Sequence, residues 1–157
     1  MWSGLMLKLS NRGIYGIKAL YELARNYGGS PTSIRLVSER HGLPVPFLEQ
    51  VLHDLKRYGL VASKRGVNGG YILAKPPENI TVGDAVRALE GPFALCECLQ
   101  SLASGTKDSR IDRCVTSGIL NKLGGKVEEV FDSVTFAELA KEHIDTKEPG
   151  ICNERYL

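Results

Sequence analysis

The chain has 157 residues, 43% of them apolar, with 20 Lys and Arg against 18 Asp and Glu and a formal net charge of +2. That length suits one domain, or a small domain with an attached helical arm, and the apolar fraction is enough for a core. Near-neutrality excludes identifying a nucleic-acid binder from global charge, so the distribution of charge decides. No stretch reads as a membrane span or a secretory signal, and the chain reads as cytoplasmic.

A first helix is predicted over roughly 10–27, where Ile14, Ile17, Ala19, Leu20, Leu23 and Ala24 recur at helical spacing. Ser10 or Asn11 can cap it and Gly28-Gly29 stops it. A second helix is expected over about 33–40, and a third over about 45–58. The third carries a stripe of Phe47, Leu48, Val51, Leu52 and Leu55, with Pro44 and Pro46 at its start. Leu60-Val61-Ala62 and Tyr71-Ile72-Leu73 read as short strands around a glycine-rich turn in which Asn68-Gly69 signals a hairpin.

Pro76-Pro77 breaks the chain, and Thr81 with Asp84 starts a helix through about Glu90. A polar connection over 93–113 holds Cys96, Cys98 and Asp108. A long helix is expected from near Cys114, its stripe being Val115, Ile119, Leu123, Val127, Val130 and Phe131. Thr135 and Glu138 cap a last helix over 136–143, and a tail follows. The implied organisation is a DNA-binding region over 7–75, a connecting helix and cysteine-containing loop over 76–113, a long helix with a C-terminal helix over 114–145, and a tail over 146–157.

Two short helices, a third helix ending in basic residues and a hairpin make a winged helix-turn-helix, so the expected fold is mainly α with a small β-wing. Lys56, Arg57, Lys64 and Arg65 form a compact basic group, whereas the C-terminal third is acidic. In the third helix, Gln50 suits adenine edges and Glu49 suits the cytosine amino group. His53, Lys56 and Arg57 suit phosphates, and Lys64 and Arg65 lie on the hairpin, with Arg65 directed to a minor groove. Gly66, Gly69 and Gly70 let the wing turn tightly beside the DNA backbone.

These stretches resemble the Rrf2 family of winged-helix transcription regulators. The resemblance runs over roughly 7–141 and is strongest at Leu9-Ser10-Asn11-Arg12-Gly13-Ile14-Tyr15, Phe47-Leu48-Glu49-Gln50-Val51-Leu52, Ser63 to Leu73, and Leu89-Glu90-Gly91-Pro92. It implies a homodimer on a partly palindromic DNA operator, base selection by Glu49, minor-groove entry by Arg65, and pairing of the long helices across the dimer. The apolar stripe of that helix independently requires either its own chain or a second subunit to cover it.

Four cysteines in a chain of this kind suit reduced thiols or metal ligands better than disulfides. Cys96, Cys98 and Cys114 are soft donors that suit an iron–sulfur cluster, [2Fe–2S] or [4Fe–4S]. The single residue between Cys96 and Cys98 is too tight for an ordinary zinc knuckle. By resemblance, Cys98 and Cys114 match the first and third family cysteines. Asp108 stands where the second is expected, and Ser117 where a cluster-binding relative has histidine. Asp108, Cys152 or a group from the partner's first helix are the candidates for a fourth ligand.

Two regulatory readings follow: a repressor sensing redox, iron or cluster status through these thiols, and a cluster-free repressor of cysteine or sulfur metabolism answering to a small molecule or partner protein. A small redox enzyme is disfavoured. The chain shows no nucleophile–base pair and no phosphate-loop or dinucleotide fingerprint.

Overall fold

The computed structural model describes residues 9–93 and 116–142. The elements in chain order are α1 (Asn11–Arg25), α2 (Ile34–His41), α3 (Val45–Arg57), β1 (Val61–Lys64), β2 (Gly70–Leu73), a 3₁₀ turn (Pro77–Asn79), α4 (Val82–Glu90), α5 (Ser117–Asp132) and α6 (Phe136–Lys141). The fold is mainly α-helical with a two-stranded wing and one long helix.

Local chemistry sets the helix ends. The Ser10 hydroxyl accepts from the Gly13 amide and Ser33 from the Leu36 amide, so each first turn has one orphan N–H satisfied. Thr81 with Asp84, and Thr135 with Glu138, form complete capping boxes on α4 and α6. At the second of these, hydrogen bonds from the Thr135 backbone and hydroxyl hold the Glu138 carboxyl below its ordinary value.

The core is where α1, α3, α4 and α6 meet. Leu20, Leu48, Leu52, Leu55, Ile80 and Phe136 are fully enclosed there. Tyr15 meets Phe47 edge-on at 5.2 Å and seats α1 against the start of α3. The C-terminal helix returns to this core. The Phe136 amide donates to the Ile80 carbonyl at 2.9 Å, and Thr81 and Thr135 form an antiparallel bridge.

β1 and β2 pair antiparallel, with Val61 opposite Leu73 and Lys64 opposite Gly70. The hairpin forms, but its turn differs from the one that Asn68-Gly69 suggests. Neither residue takes positive φ; the left-handed position is Gly66, at φ 121°. The Gly69 amide then closes back onto the Gly66 carbonyl at 2.9 Å. The loop is too long for a two-residue turn of the mirror-image type, so the conformational demand moves to its first glycine.

The wing is fastened at its other end. Thr32, in the α1–α2 connection, exchanges two backbone hydrogen bonds of 2.9 Å with Tyr71. Gly70 permits that approach, since a Cβ there would lie 2.5 Å from the Thr32 carbonyl oxygen.

α5 is different in kind. Among the described elements it packs chiefly on α4. Ile119, Leu123 and Val130 of its apolar stripe remain 62%, 49% and 66% exposed. At about 100° per residue these three fall within a narrow arc of the helix surface. Phe131, nearer the C-terminal end, meets Phe93 at 5.1 Å. No described helix is long and apolar enough to cross a membrane.

Candidate nucleic-acid interface

α3 buries Leu48, Val51, Leu52 and Leu55. The same periodicity turns Glu49, Gln50, His53, Lys56 and Arg57 outward, and all five are exposed. Pro46, Glu49, Gln50, His53 and Asp54 line a shallow open groove along this face. Lys64 and Arg65 are exposed where β1 runs into the wing loop, and Gly69 is half-buried where the loop returns. The structure therefore places the residues singled out in the sequence on two neighbouring elements, α3 and the wing.

These elements are tied together. The Lys56 ammonium donates to the Ser63 hydroxyl at 2.6 Å, from α3 to β1. The Leu60 amide reaches the Leu55 carbonyl, and the Ala74 amide the Leu60 carbonyl, each at 3.0 Å. Helix and wing are thus held in one fixed relation before any ligand arrives, which spares a binding event the cost of ordering them.

One acid balances the basic side of α3. Asp54 accepts a hydrogen bond from Arg12 at the start of α1, and Arg57 approaches it at 3.8 Å. Arg57 stays 73% exposed, so its charge is available at the surface. The Arg12–Asp54 pair is a feature that sequence reasoning did not find. Its partners are 42 residues apart, and no spacing rule links them.

A second network fixes α2, which precedes α3 in the helix-turn-helix. Glu22 is buried in α1, and Arg40 and His41 from the end of α2 both reach it, at 2.5 and 3.1 Å. Burial works to raise the Glu22 pKa. Hydrogen bonds from His41 and Arg40 and the charge of Arg40 outweigh it and hold the carboxyl below its ordinary value.

Cys96, Cys98, Asp108, Cys114 and Cys152 lie outside the described residues. Among the described residues, no group of three or more His, Cys, Asp or Glu side chains is placed to hold a metal ion. Ser117, which stands where a cluster-binding relative has histidine, is the first residue of α5.

An exposed polar helix followed by a basic hairpin is the architecture that enters a major groove with its helix and flanks it with its wing. Comparisons with known proteins give the same direction. Residues 9–142 match the family described as "Rrf2: Iron-dependent Transcriptional regulator". The HTH-type transcriptional regulator CymR of Bacillus subtilis is 36% identical over 134 residues, which span 85% of this chain and 90% of that protein.

Among solved structures, CymR (YrzC), "the Global Cysteine Regulator of B. subtilis", aligns with a TM-score of 0.68, covering 86% of this chain and 97% of that one. A structure of T. potens IscR is 39% identical with a TM-score of 0.69, covering 90% of this chain and 92% of that one. A match over most of the chain, on a fold whose exposed helix and wing suit a DNA duplex, leads to one conclusion: the chain belongs to the Rrf2 family and is a DNA-binding transcription regulator of the CymR and IscR type, not an enzyme.

Proposed function

We propose that the protein is a homodimeric repressor of genes for cysteine or sulfur metabolism, released or engaged by a small molecule or partner protein. The observation that carries this is the likeness to the global cysteine regulator, which extends over nearly the whole of that chain. In this reading, Glu49 and Gln50 select bases in the major groove, while His53, Lys56, Arg57 and Lys64 meet phosphates. Arg65 enters the adjacent minor groove, and Gly69 lets the wing backbone come close. The exposed stripe of α5 is covered by the same stripe of a second copy, because a contact that recurs about a two-fold axis closes on itself. Two recognition helices then face two half-sites of one operator.

The test is operator binding by protein prepared without iron. Tight, sequence-selective binding by colourless, iron-free protein supports this reading. Binding that appears only in preparations with matched iron and sulfide would overturn it.

A second reading is favoured by the T. potens IscR structure and by the family's description as iron-dependent. Cys96, Cys98 and Cys114 supply three soft thiolates that fit an iron–sulfur cluster by donor chemistry. Asp108, Cys152 or a group from the partner's first helix would complete the set. When bound, such a cluster would supply a group whose oxidation or loss is felt by the segment that carries these cysteines. Asp108 and Ser117 stand where cluster-binding relatives are expected to have ligands, and this weighs toward the first reading. Anaerobic purification with iron and sulfide counts separates the two.

A further inference from the structure

Arg87 sits on α4, in the winged body, and reaches across to α5. Its guanidinium donates to Asp132 at 2.7 and 3.1 Å, to Glu128 at 2.8 Å and to Asp84 of its own helix at 3.0 Å. Asp132 also accepts from the Thr81 hydroxyl at 3.2 Å. Hydrogen bonding from Arg87 holds the Asp132 carboxyl below its ordinary value. One cation therefore separates three carboxylates from two helices. Without it the same groups would face each other with like charge across the α4–α5 contact. The contact is also close. A Cβ at Gly83, on α4, would lie 1.9 Å from the Asp132 Oδ1.

This junction has unusual mechanical weight, because α5 meets the described body chiefly through α4. α5 has 16 residues, hence a length of about 24 Å at about 1.5 Å per residue. A rotation of about 10° at one end moves the other by about 4 Å, close to the roughly 3.4 Å rise of one base pair. Where α5 is the arm joined to a second copy, the same shift in each copy changes the separation of the two recognition helices by up to about two base-pair steps.

We propose that Arg87, wedged between Asp84 of α4 and Glu128 and Asp132 of α5, is the positioning residue that sets the angle of the long helix and so the half-site spacing the dimer accepts. This rests on the dimeric operator-binding reading above.

The test uses the full chain and an operator selected by the wild-type protein from randomised duplex DNA, together with versions carrying one base pair more or fewer at its centre. The wild type is expected to discriminate among these spacings by about tenfold or more. Arg87→Gln is expected to reduce that discrimination to about threefold or less, or to shift the best spacing, while the protein stays dimeric and keeps its far-UV circular dichroism. Gly83→Ala is expected to act in the same direction by displacing Asp132. Its gain in α4 helix propensity offsets part of the cost of displacing Asp132, and urea unfolding of both variants separates a change in spacing preference from general destabilisation. Should Arg87→Gln fail to fold, Gly83→Ala decides alone. Variants that keep the wild-type spacing preference overturn this proposal and leave the regulator reading intact. A wild type that selects no sequence overturns both.

Discussion

Arg40 places its Nη1 2.5 Å from Oε2 of Glu22, a carboxylate 3% exposed in the wall of α1. The pair joins the first helix to the second and sets the platform from which α3 projects. Because the folded-state pKa of Glu22 is depressed from 4.5, its contribution to stability is present above that value and lost as pH falls through the folded value. Glu22→Gln should lower stability near neutrality by about 1–3 kcal/mol. It should also flatten the acid limb, so that the difference between wild type and variant begins to close below about pH 4.5 and is gone once pH has fallen through the depressed folded value. Urea unfolding at a series of pH values checks this; parallel pH profiles would remove Glu22 from the account.

Gly70 lies against the Thr32 backbone, not against a flexible side chain, so the neighbour cannot easily yield. Gly70→Ala should break the Thr32–Tyr71 bridge, cost about 1–3 kcal/mol and loosen the wing. Hydrogen exchange at the Thr32 and Tyr71 amides reads the event directly. Protection equal to the wild type's would show that the approach is not tight.

Arg65→Ala should weaken binding to the selected operator by about 1–3 kcal/mol if the side chain enters a groove. Fluorescence anisotropy at fixed salt measures it, and an unchanged affinity takes Arg65 out of the readout.

Glu49→Ala should act differently, broadening the bases tolerated at one operator position while leaving non-specific binding nearly unchanged. Selection from randomised DNA with both proteins compares the profiles. Identical profiles would count against a base-reading role.

Leu123 is half-exposed in the single chain, so Leu123→Glu costs little folding stability there but places a charge in the proposed dimer seam. The variant should sediment as a monomer with an unchanged far-UV spectrum. A dimer of wild-type affinity would exclude this face as the seam.

Much of the body was legible from short-range pattern. The helical stripes of α1 and α3, the Ser10, Thr81 and Thr135 caps and the hairpin each depend on residues within a few positions of one another, and those rules hold locally. The outward set on α3 follows from the same periodicity, since a helix that buries Leu48, Val51, Leu52 and Leu55 must turn Glu49, Gln50 and His53 to solvent. Boundaries moved only slightly. α1 closes at Arg25 instead of near 27, and β1 extends to Lys64.

The sequence by itself determined the class of fold, the order of its elements and the side chains that α3 turns to solvent, because hydrophobic period and capping chemistry act over one or two turns. Only the tertiary structure decided which distant partners meet: Arg12 with Asp54, Glu22 with Arg40 and His41, Thr32 with Tyr71, Phe136 with the core, and Arg87 with the end of α5. Each of these contacts joins separate elements by a side chain or a backbone edge whose partner is fixed by packing angle, and no local period encodes that angle.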